Sequence, residues 1–199
     1  MKNYYLFGLK DAPIMASAYA PEETELAHEL IQILDGVDEL PFEFELFRLS
    51  TGKKGLIKDA NLIDLKYLWL DYQPNSLAWP LFSEKLKNIF LRNMTGNENI
   101  NWITAKINNN KEQRIYFIPR FEKQLDVIDE NKTMYLNESK RIIVPHFSCK
   151  KISQFSVFHI PETHNLWKIT SGLYVNEAIK KEIQTEKIGG VNFEKVNVS

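Results

Sequence analysis

The stretches PLFSEKLK (residues 80–87) and LYVNEAIK (residues 173–180) lie 93 positions apart and share one pattern. Each has a short apolar run, then a polar residue (Ser83 or Asn176), then a glutamate that begins an amphipathic segment. The polar side chain can accept a hydrogen bond from a free backbone N–H as an N-cap, and the helix dipole favours a glutamate in the first turn. The pattern therefore predicts two strand–helix units, each anchored inward by the apolar residue three places after its cap.

Around these two units the sequence is mostly extended in character. Apolar and charged residues alternate over 42–49, and the asparagine-rich stretch 108–111 separates two apolar runs, which indicates a hairpin. Strands are expected at 3–9, 42–49, 55–57, 67–70, 101–107, 114–118, 125–128, 141–144, 154–160, 166–169 and 191–196, with a turn at 71–76. Helices are expected between Pro21 and Gly36, to about Arg92 and to about Lys187. We therefore expect an α+β fold that is mainly antiparallel sheet with about three helices.

Size and composition agree with one folded unit. The chain has 199 residues, of which 44% are hydrophobic and 12% aromatic, as in globular proteins. A chain of this length buries one good core, so we expect a single domain over residues 1–199, or two lobes that share one core.

The sequence also predicts where the protein works. No apolar run approaches the length of a bilayer-spanning helix, and the N-terminal apolar run is too short and too soon interrupted for a secretory signal. Cys149 is the only cysteine, which excludes an internal disulfide and agrees with a reducing compartment. We expect a cytoplasmic protein that does not enter a membrane.

Charge is unevenly distributed along the chain although the net charge is only −1. Ten carboxylates and no Lys or Arg lie between Asp11 and Phe47, whereas residues 48–199 carry a basic surplus. One interpretation is a solvated surface that faces basic groups of the same chain, and the other is a surface that meets a basic partner. Nucleic acid is a poor ligand for such a surface because its phosphates would be repelled.

Half of these carboxylates are expected on the first helix. The apolar residues at 26, 27, 30, 31, 33 and 34 recur at helical spacing and predict a buried stripe. Glu25 and Glu29 would form a like-charge pair four residues apart, which costs a few tenths of a kcal/mol in an isolated helix. An acidic docking surface would carry such a cost.

Four residues in the C-terminal half are candidate ligands of a metal ion. His146, Cys149, His159 and His164 have spacings that resemble those of structural zinc sites. A site with one cysteine and three histidines is uncommon, however, and His159 lies in an alternating strand pattern. The pattern therefore favours ordinary half-buried side chains over metal ligands.

An enzyme with a site assembled from scattered residues is the main alternative to a binding protein. Glu84, His146 and Cys149 are the residues from which such a site would be built. The sequence contains no glycine-rich phosphate loop, H-E-x-x-H or G-x-S-x-G motif. The capping role explains Glu84, and a small buried side chain explains Cys149, so catalysis is the weaker interpretation.

Two regions resemble a bacterial family of immunity proteins from polymorphic toxin systems, formerly catalogued as a domain of unknown function. The first is DYQPNSLAWPLFSEKLK (71–87), and the second combines LWKI (166–169), LYVNE (173–177) and GGVNF (189–193). The resemblance covers roughly residues 65–95 and 165–196. Asn176 stands where the family usually has serine, which exchanges one cap for another.

The resemblance implies a protein that binds and neutralises a cognate toxin by stoichiometric contact, with neither a catalytic site nor a cofactor. A basic toxin would fit the acidic segment. Tyr72 and Trp79 flank the Pro74 loop, and loop aromatics are enriched at interfaces, although more aromatics belong to cores. The expected contact residues are Glu22, Glu25, Glu29, Asp35, Asp38, Glu39, Tyr72 and Trp79.

Overall fold

The computed structural model describes residues 3–10, 15–52, 55–136, 141–162 and 165–198. The strands are β1 (Tyr4–Leu9), β2 (Ser17–Tyr19), β3 (Phe44–Gly52), β4 (Gly55–Asp59), β5 (Tyr72–Gln73), β6 (Leu81–Phe82), β7 (Ile100–Asn108), β8 (Gln113–Phe121), β9 (Met134–Tyr135), β10 (Ile142–Val144), β11 (Val157–His159), β12 (Leu173–Asn176) and β13 (Val191–Lys195). The helices are α1 (Ala27–Ile33), α2 (Glu84–Asn93), α3 (Cys149–Ile152) and α4 (Glu177–Thr185).

The strands form two main sheets and a separate ribbon. One sheet has the order β11-β12-β1-β13, and the other has the order β2-β3-β7-β8-β6-β5, with β4 added on β3. Among the pairings of these strands, β3 with β7 is parallel and the others are antiparallel. The ribbon consists of β9 and β10. The structure therefore confirms an α+β fold with mainly antiparallel sheet and three helices of seven or more residues.

Both predicted strand–helix units are present. The Ser83 side chain accepts a hydrogen bond from the Leu86 N–H at 3.2 Å, and the Asn176 side chain accepts one from the Ile179 N–H at 3.0 Å. Leu86 and Ile179 are fully buried, as expected of inward anchors. The two helices also lie side by side. Asn93 at the end of α2 donates a hydrogen bond to the Glu182 carboxylate of α4.

The larger sheet curls until its two edges meet. Residues that follow β5 bond to β2: the Ala18 N–H donates to the Pro74 carbonyl at 2.8 Å, and the Ser76 N–H donates to the Ala18 carbonyl at 2.9 Å. The buried Gln73 amide adds a bond to the Ala16 carbonyl at 2.7 Å. This closure encloses one apolar cluster, while a second cluster lies between the smaller sheet, α2 and α4.

Three expected strands are absent from the structure. Residues 67–70, 125–128 and 166–169 are irregular, with isolated bridges at Tyr67 and Ile128. Their apolar side chains nevertheless reach the core, since Leu70, Val127 and Ile169 are buried. A short apolar run thus indicated burial correctly but not strand pairing. The turn expected at 71–76 also begins later, after the two-residue strand β5.

The first helix is shorter than expected. A turn closed by the Thr24 N–H and the Pro21 carbonyl at 3.0 Å precedes it, so Glu25 lies outside the helix and forms no helical pair with Glu29. Glu29 instead accepts a hydrogen bond from the Leu26 N–H at 3.1 Å. The expected buried stripe is also wrong at two positions, because Leu26 and Ile33 are 63% and 55% exposed.

Candidate protein-docking surface

An exposed acidic face covers α1 and the segments on either side of it. We define it by nine carboxylates with exposed side chains: Glu22, Glu23, Glu25, Glu29, Asp35, Asp38, Glu39, Glu43 and Glu45. Asp11, the tenth member of the acidic segment, lies outside the described residues. The six acidic contacts predicted from the sequence therefore share one continuous region of chain and are all at the surface.

Three members of the acidic face pair with lysines from distant parts of the chain. The Lys58 ammonium lies 3.6 Å from Glu22, that of Lys168 lies 2.6 Å from Asp35, and that of Lys106 lies 2.5 Å from Glu39. The hydrogen bond and charge of Glu39 raise the pKa of Lys106 above its ordinary value. The interpretation that the segment faces basic groups of its own chain is thus correct for part of the acidic face.

The remaining six carboxylates have no ion pair with any residue that the structure describes. Glu43 accepts hydrogen bonds from the neutral amides of Asn108 and Gln113, and Glu29 caps the backbone of α1. Such contacts order the carboxylates without neutralising them. The acidic face therefore keeps a negative field, which attracts cations at moderate salt.

A buried arginine of the larger sheet binds the C-terminal end of α1, the helix of the acidic face. Arg120 on β8 is almost completely buried, and its guanidinium donates to the carbonyls of Leu34 and Val37, the latter at 3.2 Å. These carbonyls lie at the C-terminal end of α1, where a cation is favoured by the helix dipole. A third bond joins Arg120 to Glu122 at 2.8 Å. The acidic helix is thus fixed to the closed sheet by a charged contact as well as by apolar packing.

The two aromatic contacts predicted from the sequence are not at the surface. Tyr72 and Trp79 are each only 3% exposed. The Tyr72 ring stacks on Phe7 at 5.4 Å between centroids, and its burial raises its pKa above the ordinary value. Asn75 donates to the Trp79 carbonyl at 2.6 Å and fixes the intervening loop. Both aromatics therefore belong to the core rather than to a contact surface.

The sequence predicts that Leu26 and Ile33 are buried, but both are exposed beside the acidic face. Leu26 and Ile33 are seven residues apart, so they project from one side of α1 with Glu29 between them. Single exposed apolar side chains are common on protein surfaces, so Leu26 and Ile33 add apolar contact area to the acidic face without marking a binding site by themselves. The sequence did indicate that these two side chains could be exposed, because the predicted apolar stripe is wider than one helix face can bury.

His146, Cys149 and His159, three of the four possible metal ligands, belong to no metal-binding cluster in the described part of the chain. His159 is fully buried, its Nδ1 lies 2.8 Å from the Ile160 carbonyl, and its ring packs against Phe121 and Trp167. No group of three His, Cys, Asp or Glu residues suited to a metal occurs among the residues described, and His164 lies outside them. His159 is therefore a core residue.

Neither the cleft beside Leu46 and Asn109 nor the groove between Glu25 and Leu77 is lined by Glu84, His146 or Cys149. Glu84 is exposed in the first turn of α2, where it satisfies the helix dipole. Cys149 begins the short helix α3 and is half-buried. The structure thus gives Glu84 a local role at the start of α2.

Burial of His159 predicts a loss of stability in mild acid. Desolvation lowers the pKa of His159 below its ordinary value of 6.5, while the hydrogen bond to Ile160 opposes the shift. Below pH 6.5 the unfolded chain therefore binds a proton that the folded chain resists, so the free energy of unfolding falls as the pH drops towards the folded pKa. A His159→Phe variant should show a flatter profile in urea titrations between about pH 5 and pH 7.5. An exposed-site control, His28→Asn, should keep the slope of the parent, and a His159→Phe profile parallel to the parent would contradict the prediction.

No helix among the described residues is long and apolar enough to cross a membrane. No protein-family model matches the chain, and no curated protein matches it.

Proposed function

We propose that this protein is a cytoplasmic immunity protein that binds a cognate toxin and blocks it as a stoichiometric complex. The observation that carries the proposal is the acidic face, on which six exposed carboxylates have no ion pair with a described residue. The resemblance of residues 65–95 and 165–196 to immunity proteins supports the same function. The proposed partner is a basic protein.

Electrostatics explain why such a face suits an inhibitor. A toxin must be captured before it reaches its target, so the association rate matters as much as the final affinity. Complementary charge raises association rates by one to three orders of magnitude above those of neutral partners at low salt, and it suppresses binding of wrong partners. Six exposed carboxylates without an ion pair in the described chain provide such a field.

The contacts that hold the acidic face in place also favour tight binding. Arg120 fixes the end of α1, and Lys168 and Lys106 hold Asp35 and Glu39 in place. A surface ordered before the encounter loses less conformational entropy on binding than a mobile one. These two lysines thus fix the positions of Asp35 and Glu39, and six other carboxylates of the acidic face remain without an ion pair in the described chain.

The decisive experiment identifies the toxin and measures protection. We expect a neighbouring reading frame to encode a large protein with a C-terminal toxin domain, and co-expression of this chain to rescue cells from that domain. The purified pair should form a one-to-one complex by light scattering. Absence of both rescue and complex formation, or turnover of a substrate by this chain alone that accounts for rescue, would overturn the proposal.

Charge reversal on the acidic face should slow toxin capture. A Glu23→Lys/Glu25→Lys/Asp38→Lys variant changes three exposed carboxylates that have no ion pair in the described chain. We expect the association rate at low salt to fall by roughly tenfold or more and to lose most of its salt dependence, because long-range attraction is removed. Stopped-flow association with the toxin measures both quantities.

A single reversal tests location, with Glu25→Lys as its counterpart of equal charge change on the acidic face. Glu194→Lys reverses an exposed carboxylate on β13, in the other sheet, and should leave the rate within about twofold because surface charges beyond a Debye length are screened. Unchanged affinity of the triple variant at low salt would show that the docking face lies elsewhere.

A further inference from the structure

An open groove of about 540 Å³ runs along the N-terminal end of the acidic face. One wall is the chain from the end of β2 to the start of α1, and the opposite wall is the loop after β5. We call it the anchor groove. Its lining residues are Tyr19, Ala20, Pro21, Glu22, Thr24, Glu25, Leu26, Ala27, His28, Lys58, Ser76, Leu77 and Ala78.

The walls of the anchor groove are fixed to each other. The Ser76 hydroxyl accepts a hydrogen bond from the Ala20 N–H at 3.0 Å, and the Ser76 N–H donates to the Ala18 carbonyl. Asn75 accepts a bond from the Leu77 N–H at 3.1 Å, so this wall has a defined loop conformation. The groove is therefore a preformed feature of the closed sheet, as ligand sites usually are.

The chemistry of the anchor groove is apolar with an acidic rim. Leu26, Leu77 and Pro21 provide apolar surface, and Leu26 is 63% exposed although it lies beside the helix start. The rim carries the carboxylates of Glu22 and Glu25, against a single ammonium, that of Lys58. Such a combination fits a partner segment that presents an apolar side chain next to a cation.

The chain itself shows that this rim accepts a cation. The Lys58 ammonium lies 4.9 Å from the centre of the Tyr19 ring and 3.6 Å from a Glu22 oxygen. An ammonium above an aromatic face and beside a carboxylate is stabilised by both groups. Glu25, on the same rim, has no ion pair with the described residues and is free to receive a second cation.

We propose that the anchor groove receives a basic amphipathic segment of the toxin, a deduction that rests on the proposed function. An apolar side chain of that segment packs against Leu26 and Leu77, and a neighbouring Arg or Lys bonds to Glu25. Arginine suits the site better than lysine because its guanidinium can bond a carboxylate with two N–H groups. The acidic face then steers the toxin, and the anchor groove fixes its position.

A synthetic peptide of alternating leucine and arginine tests the groove without the toxin. In a titration followed by amide chemical shifts, we expect the largest changes at residues 19–28 and 76–78. Leu26→Asp should weaken peptide binding at least about tenfold, because it removes apolar contact area. Ile143→Asp, a similarly exposed apolar site on β10, should leave binding unchanged. Shift changes confined to other surfaces, or equal effects of the two variants, would overturn the groove assignment.

The toxin itself distinguishes failure of the groove from failure of the proposed function. If the parent chain rescues cells and Leu26→Asp and Glu25→Gln each raise the dissociation rate about tenfold or more, both proposals hold. If the parent rescues cells while both variants dissociate at the parental rate, the function stands and the anchor groove is overturned. If the parent neither rescues nor binds, the function fails, and the groove fails with it. Circular dichroism of both variants confirms that the fold is retained.

Discussion

Replacing Phe7 with alanine should lower the free energy of unfolding by about 3–5 kcal/mol, the largest single effect that we expect in this protein. Phe7 is fully buried on β1. Its ring centroid lies 5.4 Å from that of Tyr72, 5.7 Å from Phe82 and 5.5 Å from Phe90. The substitution removes a side chain shared by the smaller sheet, the larger sheet and α2, so the cavity cannot close by moving one element. Urea unfolding followed by circular dichroism measures the loss.

Two comparison variants test whether cavity formation is the cause. Phe7→Leu retains most of the apolar volume and should cost much less than Phe7→Ala, whereas Leu91→Ala, at an exposed position on α2, should change stability by less than about 0.5 kcal/mol. A Phe7→Ala protein within about 1 kcal/mol of the parent would show that this aromatic cluster does not couple the sheets.

The elements that the sequence predicted well are those determined by local chemistry. The caps Ser83 and Asn176 determine the starts of α2 and α4, and the asparagine-rich turn at 108–111 determines the hairpin of β7 and β8. In each case the controlling contacts span only a few residues. Such signals are legible in one sequence.

The closure of the larger sheet could not be predicted in the same way. It depends on bonds from Gln73 and the residues after it to the strand at Ala18, across more than fifty positions. No local pattern marks those partners. The same holds for the irregular segments at 125–128 and 166–169, where an apolar run reaches the core without a neighbouring strand to pair with.

The acidic segment is recognisable in the sequence because its charges are contiguous. The carboxylates of the acidic face follow one another along the chain, and their exposure is what such a run of charge predicts. The lysines that pair with three of them come from positions 58, 106 and 168, which only the fold brings near. The anchor groove likewise needs the loop after β5 beside the start of α1. Its position follows from sheet closure and not from any motif.

Removing the guanidinium of Arg120 should destabilise the protein by about 3 kcal/mol and loosen the acidic face. Arg120→Ala removes the guanidinium donor from the carbonyls of Leu34 and Val37, and it leaves Glu122 with Asn101 as its remaining side-chain donor. Hydrogen bonds to a charged group contribute about 1.5–3 kcal/mol each, and part of the loss is regained where water can enter. Urea unfolding measures the stability, and amide hydrogen exchange measures local opening of α1.

A lysine at position 120 distinguishes the effect of the positive charge from that of the planar guanidinium group. Arg120→Lys keeps a cation near the C-terminal end of α1 but cannot bond both carbonyls and Glu122 with one planar group. We expect a stability between those of the parent and Arg120→Ala, and faster exchange in α1 than in β7 for both variants. If either variant exchanged uniformly across the two elements, Arg120 would be a general core residue. Toxin affinity should then follow global stability alone, whereas a local role predicts weakened binding even under conditions in which the variant remains fully folded.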